Sequence, residues 1–355
     1  MDTDSRSGSK ATARPSSSTS ELFAGTYARG GVAEAVSDRA WLQALLDVEA
    51  ALGGEALRAE DIDLAALGQE GGEHASVVVP LARRHFAETH TGATSQDILD
   101  TAMMLVASRA LPPLLADAAG AADAAASLAE RYRDAPMLAR TLLQDALPTS
   151  FGLLAAGWMV ALDEAQGVLA AVPLAVQMGG PVGQRDPAVS AQVSEALGLA
   201  DPVLPWHTNR MLPVTLASAL GALAGALGKV ARDVTLLAQV REGVDGRGES
   251  SAMAHKRNPV AAVSVLACSR RAPGLVATMH AAMEQELQRA AGAWQAEWGT
   301  LTELLRLTGS AVAWARDLLT HLEVDAEAMA REAGPEPDLG ASALLIDRAL
   351  REHSQ

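Results

Sequence analysis

Long stretches of alanine and leucine, almost free of interior proline, set the tightest limit on how this chain folds. Residues 114–133, 148–171, 211–242, 259–288 and 298–322 all have this character. Alanine and leucine are strong helix formers, whereas β-branched and aromatic residues favour strands, and aromatics make up only 3% of the chain. A helix of about 30 residues is roughly 45 Å long, so it presents long faces for other helices to cover. The pattern predicts an all-α subunit built on a long central helix bundle. Ala-rich faces also suit close packing between copies of the chain.

Shorter signals fill in the rest. Ser37 is the predicted N-cap of a helix in which Trp41, Leu42, Leu45, Leu46, Val48 and Leu52 recur at helical spacing, closed by Gly53-Gly54. A second helix is predicted over 95–111, ending before Pro112-Pro113. Residues 68–73, 177–186 and 243–259 read as loops, and no alternating strand pattern exceeds Val77-Val78-Val79. The expected organisation is a disordered tail over 1–20, an N-terminal helical domain over 21–95, the long-helix bundle over 96–325 and a shortened C-terminal segment over 326–355.

The 28 basic and 43 acidic residues give a net charge of −15, which argues against nucleic acid or an anionic membrane as partner. An anionic substrate would need a local cluster of Arg, Lys and His. The apolar run 212–228 contains Thr215, Ser218 and three glycines and is expected to be a buried bundle helix rather than a membrane span. Residues 1–20 lack the apolar core of a signal peptide, and the lone Cys268 allows no intrachain disulfide. Both fit a cytoplasmic protein, with Cys268 a small buried residue on a helix. No glycine fingerprint follows a strand and no His/Cys/Asp cluster has ligand spacing, so neither a metal nor an organic cofactor is expected.

Four segments carry chemical groups. Gly248-Glu-Ser-Ser-Ala-Met-Ala-His-Lys-Arg-Asn-Pro259 reads either as a solvated loop before a helix or as a loop holding a hydroxyl beside fixed cations. Serine acts as a base only if its alkoxide is stabilised, and His255, Lys256, Arg257 and backbone amides could do so. His90-Thr-Gly-Ala-Thr-Ser-Gln-Asp97 precedes a helix and reads both as an anion site and as a cap with Ser95 at the N-cap. Residues 139–148 place Arg140 and Gln144 on one predicted helical face. Trp206-His-Thr-Asn-Arg210 adds His207 and Arg210.

Together these segments resemble the fumarase/aspartase superfamily. Gly-x-Ser-Ser-Ala-Met-x-His-Lys-Arg-Asn-Pro resembles its signature loop, and Gly-Ala-Thr-Ser-Gln-Asp lies in the family's order and spacing. Residues 37–50, 139–144, 205–208 and 289–294 resemble the bacterial 3-carboxy-cis,cis-muconate cycloisomerase branch in particular. The resemblance implies a homotetramer with a twenty-helix core, each active site being built from three subunits. It also implies anti addition or elimination next to a carboxylate, through an aci-carboxylate intermediate. In the cycloisomerase branch one of the substrate's own carboxylates adds and closes a lactone, a step of the β-ketoadipate pathway of aromatic catabolism. By the same resemblance Ser250 is the catalytic serine, with Ser251 beside it. Lys256 and Asn258 hold the reacting carboxylate, Thr94 and Ser95 bind a carboxylate, and His90, Arg140, Gln144, His207 and Arg210 are substrate-side groups. The expected partners are a small anionic polycarboxylate and other copies of the chain.

Departures from the family pattern leave two other readings open. Ala254 replaces a proline, Glu249 a glycine, Thr91 a tryptophan and Ser76 an asparagine; Leu287 and Gln288 replace His and Glu, and Gln295 a His. The expected C-terminal domain is mostly absent between Leu322 and Leu339. These differences suit a C–N lyase acting on a succinyl compound, of the adenylosuccinate- or nitrosuccinate-lyase kind, or a non-catalytic paralogue.

Overall fold

The structure is a computed structural model that describes residues 21–237, 240–242 and 258–354. Two short helical turns, α1 (Ala24–Tyr27) and α2 (Val32–Ala35), lead into α3 (Asp38–Ala51). Ser37 caps α3 as expected, its hydroxyl accepting from the Ala40 amide at 3.2 Å. The helices α4 (Leu64–Glu73) and α5 (Val78–His85) follow. The first corrects the sequence reading: the glycine-rich stretch is helical, with the Asp63 carboxylate accepting from the Ala65 and Ala66 amides, while Val78 and Val79 open α5.

The centre is built from α6 (Ser95–Arg131), α7 (Phe151–Ala170), α9 (Met211–Leu236) and α12 (Ala293–Thr320). The 11-residue α8 (Pro187–Leu197) packs on α3. The long helices form a four-sided bundle in which α6 and α9 each lie against both α7 and α12. Helices α10 (Val260–Ser269) and α11 (Ala272–Ala281) fill the groove between α9 and α12. They are broken at Arg270-Arg271, ahead of Pro273, where one continuous helix was expected.

Helix α6 does not stop at Pro112-Pro113 but runs on for 37 residues. Interior prolines cost a helix about 3 kcal/mol or more each. Here Leu105, Val106, Ala110, Leu111 and Leu114 are all buried around the prolines, and that packing outweighs the lost backbone bonds.

Beyond α6 the chain forms a hairpin of β1 (Pro136–Thr141) and β2 (Gln144–Ser150), where helix was expected from residue 148. Ser150 then caps α7 by accepting from the Leu153 amide at 3.2 Å. Two three-residue strands, β3 (Val240–Glu242) and β4 (Leu322–Val324), pair at the same end of the bundle, and α13 (Ala326–Ala333) and α14 (Ser342–His353) complete the chain.

Helices α6, α9 and α12 start at one end, hereafter the near end, and run parallel; α7, α10 and α11 return. The hairpin, β3 and β4 lie at the far end. Contacts between α9 and the returning pair confirm the antiparallel course: Ser218 meets His280 at 3.2 Å, whereas Gly228 lies against Ser269.

Candidate active site

The near end is organised by three buried carboxylates. Asp97, in the first turn of α6, closes a capping box with Thr94 by accepting from its amide at 3.1 Å. Thr94 is therefore the N-cap and Ser95 the first helical residue, one position off the predicted cap. The same carboxylate accepts from the Gly179 and Gly180 amides at 2.9 and 2.8 Å, from Gln177 Nε2 at 3.1 Å and from His207 Nε2 at 3.1 Å. One side chain thus ties the loop 177–186 and the segment before α9 to the start of α6. Only glycine fits at 179, because a Cβ there would come within 2.6 Å of His207 Cε1. Gly180 has φ +67, and a Cβ would lie 2.8 Å from the Gly92 carbonyl oxygen.

One turn further along α6, Asp100 binds Arg210 through Nη1 at 2.7 Å and Nη2 at 3.1 Å. Glu297, on α12, takes Arg210 Nε at 3.0 Å and Nη2 at 2.5 Å. Arg210 Nη1 also donates to the His207 carbonyl at 3.1 Å. Gln96 Nε2 and the Trp294 indole complete Asp100, and Gln285 Nε2 completes Glu297. This ion triad draws the starts of three parallel helices together. Burial works against the Arg210 charge, but Asp100 and Glu297 outweigh it and hold its pKa above the ordinary range. Burial pushes the Glu297 carboxyl up, with Arg210 opposing.

These contacts correct two expected roles. Arg210 has no exposed side-chain surface, and all its N–H groups point at protein acceptors, so it holds helices together rather than touching substrate. His207 is 6% exposed with Nε2 committed to Asp97, and it serves the same framework.

His90, Thr94 and Ser95 lie in the outer layer of the near end, in or beside the loop between α5 and α6. The His90 ring is partly exposed, with Nδ1 2.7 Å from Glu49 Oε1. Arg289 braces the layer by donating to Gln96 Oε1 at 2.9 Å and to the Gly180 carbonyl at 3.0 Å. Sequence reading singled out neither Glu49 nor Arg185, whose Nη1 is buried in this layer without a hydrogen-bond partner. A basic residue in a glycine-rich loop was the available signal for Arg185; nothing marked Glu49.

The other expected residues lie elsewhere. Arg140 and Gln144 do not share a helical face: they sit on β1 and β2, flanking the hairpin tip at the far end. Arg140 lies 3.6 Å from both Asp145 and Glu332. Asn258 precedes α10, also at the far end. Ser250, Ser251 and Lys256 fall outside the described residues. At 1.5 Å per residue the 26 residues of α9 separate the near end from Arg140, Gln144 and Asn258 by about 39 Å within one subunit.

The hairpin tip is unusual. Leu142 and Leu143 both have positive φ, 53 and 62, in a two-residue turn that normally takes Asn or Gly. Leu142 is 96% exposed. A cavity of about 880 Å³ lies elsewhere, between α1–α4 and α12, where Trp41, Leu45, Trp298 and Arg306 line it; none of the expected site residues among the described ones lines it.

A lyase family profile matches residues 78–274. The chain is 39% identical over 357 residues to a 3-carboxy-cis,cis-muconate cycloisomerase of Bradyrhizobium diazoefficiens, covering 88% of this chain and 79% of that protein. It is 40% identical over 349 residues to a nitrosuccinate lyase of Streptomyces davaonensis, covering 84% and 73%. Among solved structures, the 3-carboxy-cis,cis-muconate lactonizing enzyme of Pseudomonas putida superposes with a TM-score of 0.86 at 30% identity, over 94% of this chain and 99% of that one.

Proposed function

The chain belongs to the lyase family of the fumarase/aspartase superfamily, and from that premise we propose that it is a cycloisomerase that closes 3-carboxy-cis,cis-muconate to its lactone. The observation that carries this reading is the near end itself. Three helix N-termini, each equivalent to roughly half a positive charge, are clamped side by side beneath His90, Thr94 and Ser95, an arrangement suited to a carboxylate-rich substrate. Ser250 exchanges the proton on the carbon next to the reacting carboxylate, with Ser251 beside it. Lys256 and Asn258 hold that carboxylate as charge develops on its oxygens.

The active site in this proposal forms between subunits of a homotetramer. Residues about 39 Å apart along α9 cannot meet in one copy. The exposed Leu142-Leu143 tip supports docking onto a neighbour. So do the apolar faces of α7 and of Val260–Ala281, whose most apolar stretches are only 39% buried within the subunit.

Turnover of carboxymuconate by the pure protein tests the substrate, and Ser250→Ala should lower kcat by about 10²- to 10⁴-fold. Co-expressing Ser250→Ala with His90→Asn tests the shared site. If the two residues come from different subunits, random mixing should leave about a quarter of sites carrying neither change. Activity no higher than either variant alone, or a monomer in light scattering, would refute the assembly. The nitrosuccinate lyase similarity favours a second reading, C–N lyase chemistry. Turnover of nitrosuccinate but not carboxymuconate would establish that instead.

A further inference from the structure

Glu49 stands out among the groups that the proposed chemistry does not use. It lies on α3 among Leu42, Leu45, Leu46 and Val48, all buried, and has no exposed side-chain surface itself. Oε2 is buried without a hydrogen-bond partner, while Oε1 meets His90 Nδ1 at 2.7 Å. Among the described residues this is the carboxylate's one hydrogen bond. A buried carboxylate is costly, and an apolar residue of similar size at such a position is often neutral or stabilising. Packing therefore gives no reason for glutamate here, whereas the contact to His90 does.

With Glu49 as a carboxylate, which can only accept, the proton of this hydrogen bond sits on His90 Nδ1. Nε2 is then the nitrogen left outward, with no hydrogen bond among the described residues, on a ring that is 21% exposed. The backbone fixes the loop beneath it: the His90 amide donates to the Phe86 carbonyl at 2.8 Å, and the Ala93 amide donates to the His90 carbonyl at 2.9 Å. Ring and loop are thus held independently, and the loop leads straight into Thr94 and the start of α6.

We propose that Glu49 is a positioning residue that fixes the tautomer and orientation of His90, so that Nε2 faces the substrate. The inference rests on the near-end site described above, but the Glu49–His90 pair can be measured without turnover. The imidazole carbon-13 Cδ2 resonance of His90, assigned by its loss in His90→Asn, reports which ring nitrogen carries the proton. Wild type should show the Nδ1–H form. Glu49→Gln and Glu49→Met should both fold, lose that uniform signature and lower kcat/KM by about 10- to 100-fold, the scale of one hydrogen bond to a charged group. The double variant Glu49→Gln/His90→Asn should be no worse than His90→Asn alone, because Glu49 acts through His90. Additive losses, or unchanged turnover in Glu49→Gln, would overturn the proposal. So would a wild-type ring protonated on Nε2. An inactive wild type that keeps the Nδ1–H signature would refute the substrate reading while supporting the pair.

Discussion

Arg210→Met is the perturbation that best separates a structural from a substrate-binding arginine. The substitution keeps much of the side-chain volume but leaves Asp100 and Glu297, both without exposed surface, with no cation between them. Removing one partner of a buried ion pair typically costs about 3–5 kcal/mol. An unfolding entropy near 2.1 cal/mol/K per residue gives this 355-residue chain roughly 0.7 kcal/mol/K, so Tm should fall by about 4–7 °C. The deficit should depend on pH. Burial already raises the Glu297 carboxyl above its ordinary 4.5, and Arg210 is what opposes it. Without Arg210 the folded-state pKa rises further. A raised carboxyl pKa favours the fold below the unfolded value, and that advantage is lost as pH rises through the folded value. The variant should thus be weakest at neutral pH and above, and recover toward pH 4.5. Calorimetric scans at one protein concentration, run from pH 4.5 to 8, measure both effects. Combining Arg210→Met with Asp100→Asn and Glu297→Gln should restore much of the loss. A variant with unchanged Tm and a tenfold higher KM would refute the structural assignment and return Arg210 to the substrate.

Two further outcomes are expected. Cys268 is buried on α10, and burial pushes its thiol up to about 11, so the folded protein should resist iodoacetamide at pH 8 while the denatured chain takes one label; rapid labelling of folded protein would show that α10 opens. Replacing Leu142-Leu143 by Asn-Gly should relieve about 1–2 kcal/mol of left-handed strain per residue, yet weaken assembly at least tenfold in sedimentation; unchanged assembly would show that the tip is not an interface.

The sequence pattern revealed the long helices because their evidence is local: composition and missing prolines act residue by residue. It failed where distant packing decides. Pro112-Pro113 reads as a stop, and only the burial of Leu111 and Leu114 against other helices carries α6 through it. The hairpin was hidden because Leu142-Leu143 is a poor turn sequence, which strands on either side force into left-handed geometry. At the site, the Thr94–Asp97 cap was nearly legible, since capping is local. Arg210 looked like a ligand because charge is visible in sequence, whereas Asp100 and Glu297, 110 and 87 residues away, become its partners only in the folded chain.

An anion site in a chain of net charge −15 must be locally cationic, because screening limits an exposed charge's reach to about 8 Å at physiological salt. The deep layer of the near end does not meet that need. Asp97, Asp100 and Glu297 face Arg210 and the half-buried Arg289, whose pKa burial lowers. Helix N-termini add partial charges and backbone donors but no full cation. Arg185, in the loop above that layer, adds a full positive charge. The densest basic run in the chemical segments is His255-Lys256-Arg257, in sequence between Glu242 and Asn258, both at the far end. In the assembly proposed above, a tricarboxylate at the near end of one subunit would meet this run from another copy. On that reading Lys256→Ala should weaken substrate binding without altering the near-end framework, because it removes charge that the near end's own subunit does not supply.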